Sequence, residues 1–153
     1  MTIKRRTFLK QTLATSTVAL AAGVVPRAVL AVWPESAFRA GNVSEALGGL
    51  MGSDATTDSD QIAIKAPDIA ENGAVVPVTV SATLSNVESI AIVASNNPLP
   101  LNSNFILGEG TEAFVSTRIK MAKTSDVMAV VKANGTLYSA SKEVKVTIGG
   151  CGG

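Results

Sequence analysis

The sequence predicts an all-β protein, an antiparallel β-sandwich of about seven strands that follows a short helical segment. After residue 61 the chain contains short runs in which apolar and polar residues alternate, the pattern of half-buried strands. Turn-forming pairs, among them Asn72-Gly73 and Asn134-Gly135, separate these runs. The 153 residues, 46% hydrophobic and 16% charged, suffice for one globular domain of ordinary size.

The first 31 residues have the layout of a cleavable export signal. A basic stretch over residues 4–10 precedes an apolar run over residues 12–25, which is too short and too rich in Thr and Ser for a stable membrane span. Arg5-Arg6, followed by Phe8-Leu9-Lys10, resembles the twin-arginine signal, which exports folded proteins; an ordinary secretory signal is the alternative. Small residues predict cleavage near Ala31, and the expected location is the periplasm.

Removal of this signal changes the charge of the chain. Residues 1–31 contain five of the 13 Lys and Arg residues and none of the 12 Asp and Glu residues. The mature chain therefore keeps 8 basic and 12 acidic residues, a net charge near −4. Nucleic-acid-binding proteins usually carry a basic excess, so that class is disfavoured. The mature form is also expected to have no membrane span.

The mature chain is predicted to begin with a helical lead-in over residues 32–51. Pro34 suits a first helical turn, and apolar residues supply one face of the segment. Gly41 and Gly48-Gly49 interrupt the pattern, which leaves one or two short helices. The following residues, 52–61, are polar and rich in turn formers, and they predict a linker.

Three aspartates of this linker could suggest calcium ligands, namely Asp54, Asp58 and Asp60. Their spacing lacks the glycine and the distal glutamate of a calcium-binding loop. A solvated linker is therefore the preferred interpretation, and no metal site is predicted.

Seven strands are predicted after the linker, at residues 62–66, 74–80, 89–94, 113–121, 126–132, 136–139 and 143–148. Pro77 indicates an edge position or a bulge in the second. In the fourth, alternation places Val115, Thr117, Ile119 and Met121 on one face. Alternation also fixes the register of the last strand, which ends the domain body of residues 32–148.

The only cysteine, Cys151, lies in the C-terminal sequence Gly-Gly-Cys-Gly-Gly. Because glycine has the widest accessible backbone space, residues 149–153 are expected to form a mobile arm on the last strand. The chain has no second cysteine and no histidine, which rules out an internal disulfide, a Cys-His catalytic pair and a zinc site of the usual type. No charged side chain adjoins Cys151, so the thiol is accessible rather than activated. This pattern favours a carrier over an enzyme.

These residues resemble the SoxY family, the sulfur carriers of bacterial thiosulfate oxidation. The resemblance is carried by GGCGG at residues 149–153, TRIKMA at 117–122, the run IAENGAVVPV at 69–78 and the lead-in at 33–51, and it covers nearly the whole mature chain. It implies an immunoglobulin-like β-sandwich. It also implies that Cys151 is the covalent attachment site for substrate, and that the arm consists of Gly149, Gly150, Gly152 and Gly153.

The resemblance also implies partners. A SoxZ-type subunit would form a heterodimer with the chain, and a haem-containing SoxXA-type cytochrome would join thiosulfate oxidatively to Cys151. A SoxB-type hydrolase would then release sulfate, and a sulfur dehydrogenase would oxidise the remaining sulfur. Haem and metals belong to these partners, so the chain itself is expected to be a carrier without a cofactor and not an enzyme.

Two other functions are alternatives to the thiosulfate-carrier role. A ubiquitin-like sulfur carrier would use its terminal glycine and cytoplasmic ATP-dependent activation, which the export signal contradicts. A binding or adhesion β-sandwich would use Cys151 only for an intermolecular disulfide. The basic stretch of Arg118, Lys120 and Lys123 could attract an anionic adduct or partner, although a solvated sheet face is the preferred interpretation. The loop at residues 96–100 and the apolar strands are candidate interfaces.

Overall fold

A computed structural model describes residues 33–147 of the chain. Residues 1–32, which include the predicted export signal and its cleavage site, lie outside the described residues. Residues 148–153, which include the predicted arm, lie outside them as well. The predicted strand end at Ile148 therefore stays a prediction.

The lead-in forms two helices, α1 (Glu35–Arg39) and α2 (Val43–Met51). The side chain of Asn42 accepts a hydrogen bond of 2.8 Å from the backbone amide of Glu45, which caps the N-terminus of α2. Gly52 ends α2 with a φ of 80°, a conformation that glycine adopts without strain. Within residues 33–147, neither these helices nor any other is long and apolar enough to cross a membrane.

Nine strands follow in the described part of the chain. They are β1 (Thr57–Asp58), β2 (Ile62–Lys65), β3 (Ile69–Ala70), β4 (Val76–Ala82), β5 (Val87–Ala94), β6 (Leu101–Ile106), β7 (Phe114–Ile119), β8 (Ser125–Ala133) and β9 (Thr136–Val146). The larger sheet has the order β1-β9-β8-β5-β6, with β3 also paired to β9, and the smaller sheet has the order β2-β4-β7. The predicted antiparallel β-sandwich is confirmed, with β1 and β3 as short parallel additions.

Two apolar layers hold the fold together. Val78 of β4 and Ile90 and Ile92 of β5 belong to the core between the two sheets, and all three are fully buried. The other face of β5 presents Ala91 and Val93 to the helices. Because both faces of β5 are covered, its sequence is almost continuously apolar rather than alternating.

The structure corrects the predicted strands at several positions. The sequence predicted neither β3 nor β6, and it assigned β1 to a linker. The polar residues Asn102-Ser103-Asn104 interrupt the apolar pattern by which β6 would be predicted. Such residues are tolerated there because β6 is an edge strand, which needs few apolar residues. The stretches predicted as separate strands at 136–139 and 143–148 belong, as far as they are described, to one strand, since residues 140–142 stay paired with β8.

Other details of the predicted strands are confirmed. Asn134 and Gly135 form the β8–β9 turn with φ of 50° and 73°, as expected of a type I′ turn. Val115 and Ile119 of β7 are buried. Although β4 is the central strand of its sheet, Pro77 pairs only with β7, because β2 reaches no further than Thr79. The missing amide of Pro77 therefore lies at a local edge.

Candidate functional site

The predicted attachment residue, Cys151, and the four glycines around it lie outside the described residues. The structure does describe β9, which leads to them, as far as Thr147. The candidate site is therefore built from the end of β9 and the loops beside it. We call residues Lys145–Thr147 the arm root.

The backbone amides of the arm root donate hydrogen bonds to both sides. On one side, the amide of Lys145 donates to the carbonyl of Asp68 at 3.0 Å, and the amide of Thr147 donates to the carbonyl of Ala70 at 3.1 Å. On the other side, the amide of Val146 donates to the Thr124 hydroxyl at 3.0 Å. Pairing with β8 ends at Val144, so in the described structure Thr124 takes the place of β8 on one side of the last residues, while β3 pairs with them on the other.

The Lys142 side chain binds the segment that precedes β3. Its ammonium group donates a hydrogen bond of 2.7 Å to the carbonyl of Ala66 and forms an ion pair of 3.0 Å with the carboxylate of Asp68. The Lys142 side chain is 32% exposed but that of Asp68 is 88% exposed, so water screens much of the ion pair and the hydrogen bond to Ala66 is the more sheltered contact. Lys142 thus holds the segment that precedes β3 against β9.

Gly73 packs tightly between the arm root and β7. The amide of Met121 donates a hydrogen bond of 2.7 Å to the carbonyl of Gly73. A Cβ atom at position 73 would lie 2.9 Å from Cγ1 of Val146 and closer still to the carbonyl oxygen of Met121. The sequence identified Asn72-Gly73 only as a turn, although the turn conformation is not what excludes a side chain here.

The loop at residues 96–100 is fastened to the loop that follows β7. The Asn97 side chain donates to the carbonyl of Lys120 at 2.7 Å and accepts from the amide of Ala122 at 2.8 Å. The Asn96 side chain donates to the carbonyl of Thr124 at 3.0 Å. These hydrogen bonds join the two loops into one surface, which includes the half-exposed Leu99.

The basic stretch singled out in the sequence lies at this same end. Arg118, Lys120 and Lys123 are exposed, and Lys120 lines a shallow cleft of about 340 Å³ together with Leu99 and Ala122. The lining of the cleft is mainly apolar. That the stretch is a solvated sheet face stays a prediction.

The opposite end of the sandwich is acidic. The carboxylate of Glu88 accepts from the amide of Gly135 at 2.9 Å and pairs with Lys132 at 3.2 Å. The hydrogen bond from Gly135, with the nearby Lys132, lowers the pKa of Glu88 below its usual 4.5. A cleft of about 700 Å³ there is lined by Glu88, Glu109 and Glu112 among other residues.

Two of the linker aspartates, Asp54 and Asp58, accept hydrogen bonds from serine side chains. The carboxylate of Asp54 accepts from the Ser44 hydroxyl, and that of Asp58 accepts from the Ser139 hydroxyl at 3.0 Å. Among residues 33–147, no three acidic, histidine or cysteine side chains form a group that could hold a metal ion.

The chain is similar to known proteins in both sequence and structure. The family model "Sulfur oxidation protein SoxY" matches residues 48–151. The structure is similar to that of the sulfur carrier protein SoxY from Chlorobium limicola f thiosulfatophilum, with 43% identity, a TM-score of 0.62 and coverage of 68% of this chain and 94% of that one. No curated protein matches the chain in sequence.

A more distant similarity concerns the fold alone. The superoxide reductase (neelaredoxin) from Ignicoccus hospitalis has 20% identity and a TM-score of 0.50, with coverage of 57% of this chain and 80% of that one. The architecture and the family match define a β-sandwich protein of the sulfur-oxidation class. The chain belongs to the SoxY family. The predicted resemblance and the immunoglobulin-like β-sandwich are thereby confirmed.

Proposed function

We propose that this chain is a periplasmic carrier of sulfur compounds in thiosulfate oxidation, and that Cys151 is the residue that holds them. The observation that carries the proposal is that the SoxY family match extends to Cys151, the only thiol of the chain. The similar structure from Chlorobium limicola f thiosulfatophilum is named a sulfur carrier protein, which supports the same role.

The proposed attachment step is an oxidation. The Cys151 thiol and the terminal sulfur of thiosulfate form an S–S bond, giving a cysteine S-thiosulfonate, one proton and two electrons. A SoxXA-type haem cytochrome takes the two electrons. Only a few per cent of an ordinary thiol is thiolate at neutral pH, so the partner's site has to promote its deprotonation.

The proposed release step is a hydrolysis. Water attacks the terminal sulfone, the bond between it and the neighbouring sulfur breaks, and sulfate and two protons leave. Cys151 keeps one sulfur atom as a persulfide. A SoxB-type hydrolase catalyses this step and a sulfur dehydrogenase oxidises the persulfide, so the chain acts as a substrate of its partners and needs no cofactor.

The glycines on both sides of Cys151 suit this use. Gly149, Gly150, Gly152 and Gly153 add no side-chain bulk, so the thiol and its adduct can enter a narrow pocket of a partner. A SoxZ-type subunit is the proposed stable partner, in a heterodimer. The twin-arginine-like signal with cleavage near Ala31 supports the proposed periplasmic location.

Intact-mass analysis of the protein from cells grown on thiosulfate tests the proposal. We expect a mass increase equal to one S₂O₃ unit, located on Cys151 by peptide mapping and lost on treatment with a reductant. The same spectrum gives the N-terminal residue of the mature chain, expected near Val32. If Cys151 carries no sulfur adduct and occurs only in an intermolecular disulfide, the binding or adhesion function replaces this one.

A further inference from the structure

The connection between the sandwich and residues 148–153 determines how far Cys151 can move, if the proposed carrier function is correct. Pairing between β8 and β9 ends at Val144, which leaves three further described residues before the arm. These residues could move together with the arm or remain bound to the sandwich. The contacts of the arm root decide between the two.

Each amide of the arm root donates to a different fixed group. Lys145 and Thr147 donate to carbonyls of Asp68 and Ala70, and Val146 donates to the Thr124 hydroxyl. The bonds point alternately to the two sides, so the arm root is held like a central strand although β8 no longer pairs with it. Fraying from the C-terminus has to break these bonds one after another.

The groups that accept these bonds are themselves held in place. Lys142 ties Ala66 and Asp68 to β9 by a hydrogen bond and an ion pair, and this positions the strand β3 that follows. On the other side, the carbonyl of Thr124 accepts from the Asn96 side chain, which ties Thr124 to a loop of the larger sheet. Both partners of the arm root are thus supported by side-chain contacts.

We propose that Thr124 and Lys142 are positioning residues of the carrier, which hold the arm root, Lys145–Thr147, on the sandwich. With the arm root held, Cys151 is four residues beyond Thr147 and lies at most about 14 Å from it. With the root released to Val144, the distance is seven residues and the reach grows to about 25 Å. A shorter reach raises the effective concentration of the thiol at a partner docked close to the arm root.

The local hydrogen bonds are measured by amide hydrogen exchange in the full-length mature protein. Thr124→Val keeps the shape of the side chain but removes the acceptor, and we expect exchange of the Val146 amide to rise about 3- to 10-fold. Thr124→Ser restores a hydroxyl and should restore slow exchange. Lys142→Met should raise exchange of the Lys145 and Thr147 amides by about tenfold, because it removes a charge-assisted bond.

Lys132→Met is the matched control. Lys132 pairs with Glu88 at 3.2 Å, and its side chain is 34% exposed, close to the 32% of Lys142. It lies at the opposite end of the same sheet, so this change should leave exchange of the arm-root amides unchanged. Buried amides such as that of Val130 report global unfolding. Equal acceleration at Val130 and Val146 would show a purely structural role and overturn the proposal.

The reach is measured with a nitroxide label on Cys151, the only thiol of the chain. In the wild type, the label should broaden the NMR signals of amides near the arm root. In Thr124→Val and Lys142→Met it should also broaden the signals of amides farther from the arm root. If the label broadens the signals of the same amides in both variants as in the wild type, the proposal is overturned, whatever Cys151 carries. Absence of sulfur adducts on wild-type Cys151 would instead refute the carrier function and leave the exchange result standing.

Discussion

The amide of Met121 lies 2.7 Å from the carbonyl oxygen of Gly73, and this hydrogen bond brings the turn before β4 against both β7 and β9. The glycine is required by the close approach of Met121 and Val146, since any Cβ at position 73 would collide with them. This relationship determines the first prediction.

Gly73→Ala should destabilise the protein by about 1–3 kcal/mol, because a backbone group has to move to admit the new methyl group. Urea unfolding of the mature protein measures the change. Gly48→Ala is the control, since a Cβ there meets nothing within 4 Å and alanine favours the helix by up to about 1 kcal/mol. Equal stability of Gly73→Ala and wild type would show that the turn relaxes freely.

Ile92→Ala should cost about 2–5 kcal/mol, because Ile92 is fully buried between the sheets and its truncation leaves a cavity. Ile106→Ala on the neighbouring strand provides the comparison. Ile106 is 83% exposed, and its truncation should change stability by no more than about 0.5 kcal/mol. Denaturation midpoints of both variants measure the difference, and similar losses would contradict the assignment of the core.

Glu88 should make the stability of the β8–β9 hairpin depend on pH. The pKa of Glu88 is lowered in the folded state. The ionised carboxylate therefore stabilises the folded protein above pH 4.5, the usual pKa, and this stabilisation is lost as the pH falls through the lowered pKa. The stability difference between wild type and Glu88→Gln should therefore shrink in acid. An NMR titration of the carboxyl group tests the cause directly, since Lys132→Met should raise the pKa of Glu88. Titration of Glu88 at or above 4.5 in the wild type would contradict the prediction.

Cys151→Ser should abolish the sulfur adduct and leave the melting temperature unchanged, because serine is close to cysteine in size and position 151 lies outside the predicted strands. Replacement of Gly149-Gly150 by Pro-Pro should leave the thiol titratable but block turnover with partners, since proline restricts the backbone. Thiol titration and oxidation of thiosulfate by the reconstituted system measure the two effects. Normal turnover of the Pro-Pro variant would refute the mobile arm.

Much of the sandwich could be predicted from local patterns. The strand signals around Val78 and Val115 are strong, because one face of each strand is buried and the alternation follows. The signal around Val131 is strong because β8 is covered on both faces and is almost continuously apolar there. The edge strand β6 escaped prediction, since Asn102-Ser103-Asn104 interrupts the apolar pattern. The two-residue strands β1 and β3 carry no pattern of their own and exist only as partners of β9.

The sequence by itself determined the chemistry available to this protein. With one cysteine and no histidine, covalent sulfur chemistry has Cys151 as its single candidate residue, and the family motifs around it indicate the carrier role. Only the tertiary structure decided where β9 is anchored. Thr124 and Val146 are 22 residues apart in the chain, and Lys142 and Ala66 are 76 apart. Such contacts leave no local periodicity in the sequence, because they arise only when separate strands pack together.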